Sequence, residues 1–157
     1  MPQFDPLLTL ALAATALNGL LCCASLDQSI KQLPARHRIG MAAFSAYSRA
    51  ADLGPGIAWY AALGIGAAVL TLAAAVVAYL RAAPLAPALP LYLAAATTLI
   101  HSFATTQAAP TNFRQRAVSG DAAALAKVFA RFERWQTLRA AFQVLTFAFS
   151  LWALAAL

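Results

Sequence analysis

Residues 57–80 read IAWYAALGIGAAVLTLAAAVVAYL and contain no charged side chain. A helix needs about 20 mostly apolar residues to cross the hydrocarbon core of a bilayer. This stretch is long enough and apolar enough to do so, and we therefore predict that it is a transmembrane helix.

Three other stretches share this apolar character. They are residues 7–26, 89–106 and 138–157. With residues 57–80 they predict an all-α fold, an integral membrane four-helix bundle that forms a single transmembrane domain over residues 1–157.

The composition agrees with a membrane protein and excludes other classes. Of the 157 residues, 62% are hydrophobic and 10% are charged, whereas soluble domains have roughly 45–50% apolar and about 25% charged residues. Disordered chains are poor in apolar residues, so disorder is excluded. The two cysteines, Cys22 and Cys23, are adjacent, so a secreted disulfide scaffold is excluded as well.

The basic residues predict the orientation of the chain in the membrane. Almost all of them fall in the two long segments between spans, namely Lys31, Arg36, Arg38 and Arg49 in the first and Arg114, Arg116, Lys127, Arg131 and Arg134 in the second. Positively charged loops stay in the cytoplasm. We therefore predict a multi-pass protein of the cytoplasmic (inner) membrane, with segments 27–56 and 107–137 cytoplasmic and both ends of the chain outside. The net charge of +6 is explained by this topology, so no nucleic-acid partner is expected.

Both long segments contain helical patterns. Residues 35–51 place Ile39, Ala43, Ala46 and Ala50 on one stripe, which predicts a short interfacial helix in the first cytoplasmic loop. In the second segment, Pro110 is expected to end the third span, and Asp121 supplies a helix N-cap. No Pro or Gly follows Gly120, so we predict one long fourth helix that begins near residue 122 and extends into the cytoplasm.

The link between the second and third spans, residues 81–90, contains three prolines. It predicts a tight, rigid turn between antiparallel helices.

Polar side chains inside the predicted spans lie at similar depth. Asn18, Tyr60, His101 and Gln143, one from each span, fall in the cytoplasmic half of the membrane. Such groups are costly in lipid and are expected to face the bundle interior. They predict a polar-lined cavity open toward the cytoplasmic leaflet, in which His101 accepts or donates a proton. The alternative is that they form hydrogen bonds between helices and only fix the fold.

A second polar cluster is predicted nearer the cytoplasmic surface. Its members are Asp27, Gln28, Trp59, Tyr60, Thr111, Asn112, Glu133, Trp135, Gln136 and Arg139. Interfacial anchoring accounts for the tryptophans, and snorkelling accounts for the arginine. Anchoring does not account for Asp27 or Asn112, which favours a binding role for this cluster.

The sequence does not favour a metal site. His37 and His101 are the only histidines, and no carboxylate falls in the middle of a predicted span. A di-iron bundle needs several such carboxylates together with Glu-x-x-His pairs. We therefore expect neither a metal nor another cofactor. A haem with one axial ligand at His101 is the disfavoured alternative.

Four residues carry a resemblance to a known family. Pro110, Asn112, Trp135 and Arg139 match the pattern of the anthrone oxygenase-like family of small four-span membrane proteins, most of which have no assigned function. Gln136 stands where that pattern has His or Asn. The stretch from Gly19 to Pro34 also resembles the family's first span and following loop. The resemblance implies a four-span bundle and, for a few members, oxidation of an anthrone to a quinone without metal or flavin.

That chemistry suggests roles for the polar residues. If the chain shares the chemistry that the resemblance implies, His101 is expected to serve as the base. Asn112, Gln136 and Arg139 are then expected to orient or stabilise the anion. The residues expected to line the ligand site are Asn18, Asp27, Trp59, Tyr60, Trp135 and Gln143. The sequence thus leaves two hypotheses. One is a protein that binds a small apolar or aromatic molecule and acts as an oxygenase-like enzyme. The other is a non-enzymatic structural or assembly protein. Either one has the lipid bilayer as a partner, and a homo-oligomer stays open.

Overall fold

The computed structural model describes residues 5–157, and within that range every regular element is helical. Residues 1–4, which belong to the predicted domain and its outer tail, lie outside the described residues. The helices are α1 (Pro6–Asp27), α2 (Leu33–Ile39), α3 (Met41–Ala50), α4 (Gly56–Leu80), α5 (Leu85–Phe113) and α6 (Ala122–Ala156), with a π-turn at Gln28–Gln32 and a 3-10 turn at Arg114–Arg116.

Four long helices form the bundle. Each of α1, α4, α5 and α6 is long and apolar enough to cross a membrane. Helices α4 and α6 each pack against both α1 and α5, which closes a ring. Helices α1 and α4 coincide within one residue with the predicted spans 7–26 and 57–80. The chain is therefore a multi-pass helical membrane protein whose apolar outer faces contact lipid.

Two aspartates determine where α1 and α6 begin. The side chain of Asp5 accepts a hydrogen bond from the Leu7 backbone N–H at 2.9 Å. The side chain of Asp121 accepts bonds from Ala123 at 2.9 Å and from Ala124 at 3.0 Å. Such caps satisfy backbone donors that have no partner inside the helix. Helix α6, which has 35 residues, starts where the sequence predicts.

The prediction that Pro110 ends the third span was wrong, because α5 continues through it to Phe113. Proline removes one backbone bond, the one to the carbonyl of Thr106. That residue is exposed, and membrane helices tolerate proline where the freed carbonyl finds another partner. The predicted link 81–90 is shorter than expected, since α5 already begins at Leu85.

The prediction of one helix over residues 35–51 was also wrong, because the helix breaks at Gly40. This glycine has φ +87°, in the region that favours glycine. The helix that follows, α3, buries Phe44, Ser45 and Ser48, whereas the predicted apolar stripe is exposed. The reason is packing: the ring of Phe44 meets that of Phe129 edge-on, with centroids 4.9 Å apart.

The first turns of α6 pack against α2, α3 and α5. Leu33, Phe44, Ala108, Leu125, Phe129 and Phe132 form one buried cluster there. A half-buried ion pair supports the same contact, since the buried Arg36 guanidinium donates to the partly exposed Glu133 carboxylate at 2.6 Å. The N-terminal part of α6 therefore belongs to a small helical subdomain that lies outside the predicted spans.

Candidate functional site

A cavity of about 490 Å³ lies between α4 and α5, beside the basic segments of the chain. Its volume is in the range of pockets that hold small molecules. Its apolar wall comes mostly from α4 and includes Ile57, Ala61, Gly64, Ile65, Ala68 and Val69. Its polar end is formed by Gln28, Asp52, Tyr60, His101, Asn112 and Arg139. The arrangement suits a molecule that is apolar along most of its length and polar at one end.

His101 presents one free ring nitrogen to the cavity. Its side chain is 7% exposed, and Nδ1 lies 3.1 Å from the backbone carbonyl oxygen of Arg139. A carbonyl oxygen only accepts, so Nδ1 carries the proton and Nε2 keeps a lone pair. Nothing within residues 5–157 hydrogen-bonds to Nε2. His101 is therefore poised to accept a proton from a molecule in the cavity.

Arg139 carries a charge that lacks an ion-pair partner. One terminal nitrogen of its guanidinium donates to the Gln28 side-chain oxygen at 2.9 Å. The Nε donor is buried and has no partner. Across the described range, no carboxylate lies within 4.0 Å of the guanidinium. A sheltered cation without a counter-ion is costly, so this corner of the cavity favours an anionic or strongly accepting oxygen.

Asn112 is held in one orientation by its neighbour Gln115. The Gln115 amide nitrogen donates to the Asn112 side-chain oxygen at 2.7 Å and to the Ser48 hydroxyl at 3.3 Å. The Gln115 oxygen accepts from Ser45 at 3.1 Å. Since the Asn112 oxygen is occupied, its amide nitrogen is the group left to donate. Asn112 lines the cavity, and so a second donor joins Arg139 at the polar end.

Asp52 contributes the only carboxylate among the described residues that line the cavity. It lies in the turn between α3 and α4, outside the spans, and accepts a hydrogen bond from Ser48 at 2.8 Å. Burial raises the pKa of this carboxyl above its ordinary value, while Ser48, the positive charge of Arg139 and Gln28 act in the opposite direction. Asp52 thus faces the same space as an unpaired cation without forming a close ion pair with it.

Sequence reasoning missed Asp52. It placed Gln28 in the polar cluster near the cytoplasmic surface but did not count it among the site residues. Asp52 is one of only two acidic residues in the basic segment 27–56, and that contrast was the available signal. Gln28 opens the π-turn, which changes the face that follows α1. A regular helical pattern contains no signal for that change.

The predicted site residues separate into two groups. Tyr60, His101, Asn112 and Arg139 line the cavity. The others lie elsewhere, and they are Asn18, Asp27, Trp59, Trp135, Gln136 and Gln143.

Asn18 and Gln143 belong to a closed network in the bundle core. The Gln143 amide donates to the Asn18 side-chain oxygen at 3.0 Å and to its backbone oxygen at 3.1 Å. Asn18 in turn donates to the Thr71 hydroxyl at 2.8 Å. Each of these three side chains is at most 2% exposed. The network joins α1, α4 and α6, and the cavity is not lined by any of its three members.

Gln136 faces α1 instead of the cavity. Its amide nitrogen donates to the Ser25 backbone oxygen at 3.1 Å and to the Ser29 hydroxyl at 3.2 Å. Its side-chain oxygen is buried without a partner. Gln136 therefore joins α6 to the end of α1, where it supports the π-turn that carries Gln28.

Three predicted ligand-lining residues are near the surface. Asp27 pairs with Lys31 within the same helical turn. Trp59 is 55% exposed. Trp135 meets Phe103 edge-on, with ring centroids 6.3 Å apart. Their positions agree with anchoring at a membrane interface.

No protein-family model matches the chain, and no curated protein or solved structure matches it either. Within residues 5–157, no group of three or more His, Cys, Asp or Glu side chains is placed to hold a metal ion.

Proposed function

We propose that this protein binds a small apolar or aromatic molecule in the cavity between α4 and α5, with an acidic or anionic oxygen at the polar end. The observation that carries the proposal is the Arg139 guanidinium, which has a buried donor without a partner and lies at the polar end of a mostly apolar cavity. The free nitrogen of His101 lines the same space. A carbon acid with a neighbouring carbonyl group matches both features.

The chemistry that fits this arrangement is proton abstraction followed by reaction with oxygen. In an anthrone, His101 Nε2 would take a proton from the ring CH₂, and Arg139 and Asn112 would donate to the resulting enolate oxygen. The carbanion is the reductant and dioxygen is the oxidant. Anthrone and O₂ together give anthraquinone and water, which balances all atoms. We propose this anthrone oxygenase-like reaction, without metal or flavin, as the activity.

We further propose the cytoplasmic membrane as the location, with the basic segments 27–56 and 107–137 inside and α3 at the membrane interface. The exposed residues Ala43, Ala46 and Ala50 on one face of α3 support the interfacial position. Cysteine labelling tests the orientation. Ser119→Cys, in a chain with Cys22 and Cys23 replaced by Ser, should resist an impermeant maleimide in intact cells. Rapid labelling there would reverse the topology.

Binding of anthracenecarboxylate to the protein in lipid nanodiscs tests the proposed site. Arg139→Gln should weaken binding by about tenfold or more, since a charge-assisted hydrogen bond contributes about 1.5–3 kcal/mol. Arg134→Gln is the matched control, because Arg134 is exposed on the same helix and does not line the cavity. Equal binding by all three proteins would refute the proposal.

A second function class is supported by a separate observation. The Asn18–Gln143–Thr71 network is closed and buried, as expected if intramembrane polar groups only fix the fold of a structural or assembly protein. In that case neither anthracenecarboxylate nor anthrone would bind. Polar substitutions in either layer would then change thermal stability alone.

A further inference from the structure

The cavity has an opening in the side of the bundle. Ile65 and Val69 of α4 line the cavity and are nevertheless 66% and 58% exposed at the outer surface. Phe113 of α5 lines it as well and is 38% exposed. Residues that belong to both surfaces mark the rim of an opening. Because α4 spans the membrane, this rim faces lipid.

Helices α4 and α5 diverge from a closely packed end. Near the link that joins them, Ala74 and Ala78 of α4 pack in one buried cluster with Ala88 and Leu91 of α5. Toward the other end the cavity lies between the two helices. A Cβ atom added at Gly64, which lines the cavity, would meet nothing within 4 Å. The two helices therefore form a V that is open toward the basic segments.

The seam between α4 and α5 contains no polar tie. Side-chain hydrogen bonds join α1 to α4 through Asn18 and Thr71, α1 to α6 through Gln143, and α5 to α6 through Thr97 and Thr146. Across the residues that the structure describes, no side-chain hydrogen bond joins α4 to α5. This seam can widen without breaking a buried hydrogen bond, whereas the other three cannot.

The end of the cavity nearest the loops is covered. Leu53, in the turn before α4, is 7% exposed and lines the cavity. The Arg116 guanidinium donates to its backbone oxygen at 2.7 Å. The same turn is tied to α3, since Ser48 donates to Asp52 at 2.8 Å. Two polar ties thus hold this cover in place, and the side opening has none.

We infer that the ligand enters sideways from the lipid phase, through the seam between α4 and α5. This inference depends on the proposed binding function and specifies its ligand class. The ligand is a membrane-dissolved amphiphile whose apolar or aromatic body lies along the α4 wall. Its single polar group, an acid or an enolisable carbonyl, directs an oxygen at Arg139 and Asn112. A water-soluble metabolite without an apolar body does not match this route.

Bridging the seam chemically tests the route. We would introduce Ala62→Cys and Thr106→Cys, which place one thiol on each of the two helices at exposed positions that do not line the cavity, in a chain with Cys22 and Cys23 replaced by Ser. The purified protein in phosphatidylcholine vesicles is bridged with a short bis-maleimide. Anthracenecarboxylate is added to the vesicles either before or after bridging, and retained probe is measured after exchange against probe-free vesicles. The single variant Ala62→Cys, treated with the same reagent, is the control, since Ala62 is exposed and does not line the cavity.

The order of the two steps should decide the result. We expect protein bridged first to lose uptake, protein loaded first to retain the probe, and the single variant to bind and release normally. Equal uptake before and after bridging, with faster uptake in Leu53→Ala, would show access from water and overturn the inference. If the unbridged protein takes up no probe at all, the proposed binding function fails, and the inference fails with it.

Discussion

Arg139 holds His101 with its backbone while its side chain lines the same cavity as the imidazole. The carbonyl oxygen of Arg139 lies 3.1 Å from Nδ1 of His101, and the guanidinium is held by Gln28 at 2.9 Å. One residue of α6 therefore sets the tautomer of the base and supplies the positive charge beside it. A proton acceptor and an anion-stabilising group are thereby fixed relative to each other.

Replacing the base should remove the activity while preserving the site. His101→Gln is expected to slow the conversion of anthrone to anthraquinone by about a hundredfold or more, since general base catalysis contributes about 10²–10⁴-fold. Quinone absorbance in nanodiscs under air measures the rate. His37→Gln is the matched control because His37 is exposed on α2. If His101→Gln retains the full rate, His101 is not the base.

Removing the support of Asn112 should weaken binding through a residue that does not line the cavity. Gln115→Met breaks three hydrogen bonds and frees the Asn112 amide to rotate. We expect anthracenecarboxylate to bind about threefold to tenfold more weakly, corresponding to about 1 kcal/mol. In the double variant with Asn112→Ala, the Gln115 change should add little further loss. Fully additive losses would show that Gln115 does not act through Asn112.

The carboxyl of Asp52 should make anion binding dependent on pH. Burial raises its folded-state pKa, so the neutral form is favoured below that raised value and the negative form above it. Affinity for anthracenesulfonate, whose charge does not titrate, should therefore fall as pH rises through the Asp52 pKa. Asp52→Asn should flatten this dependence and bind more tightly at neutral pH. An unchanged pH profile in Asp52→Asn would contradict the assignment.

The core network should affect stability and leave binding intact. Asn18→Leu removes its bonds to Thr71 and Gln143. Hydrogen bonds between membrane helices contribute about 0.6 kcal/mol on average, so we expect a loss of about 1 kcal/mol for the two side-chain bonds. Gln143 keeps its bond to the Asn18 backbone oxygen. Thermal unfolding in nanodiscs reports the loss, and anthracenecarboxylate affinity should not move. A large loss of affinity at unchanged stability would place Asn18 in the binding site.

The length of the continuous apolar stretches was enough to locate the long helices, because a segment that crosses the membrane must be apolar whatever its neighbours are. The depth of a polar residue was not enough to predict its partners. Asn18 and His101 were predicted to lie at similar depth. Asn18 is hydrogen-bonded within the core, whereas His101 lines the cavity. Which one faces open space depends on how far α4 and α5 diverge. That divergence is a property of packing between helices, and no single segment encodes it.

The two cavity residues that the predicted site left out have a similar physical explanation. Gln28 and Asp52 lie where chain direction changes, one in the π-turn and one between α3 and α4. Asn112 and Arg139 were identified from the residue pattern that follows the third predicted span and leads into the fourth, although the sequence placed Asn112 after the end of its helix. The position of a side chain in a turn depends instead on contacts such as the Ser48–Asp52 hydrogen bond.

The π-turn at Gln28–Gln32 also determines the angular phase of everything that follows α1. In this turn the backbone N–H of Leu33 bonds to the carbonyl oxygen of Gln28, five residues earlier, so the turn holds one residue more than an α-helix would. Deleting one residue here would restore α-helical winding and rotate α2 by about 100° about the common axis. Arg36 would then point away from Glu133. The single extra residue of the π-turn thus sets the rotation of the helical subdomain relative to the membrane bundle.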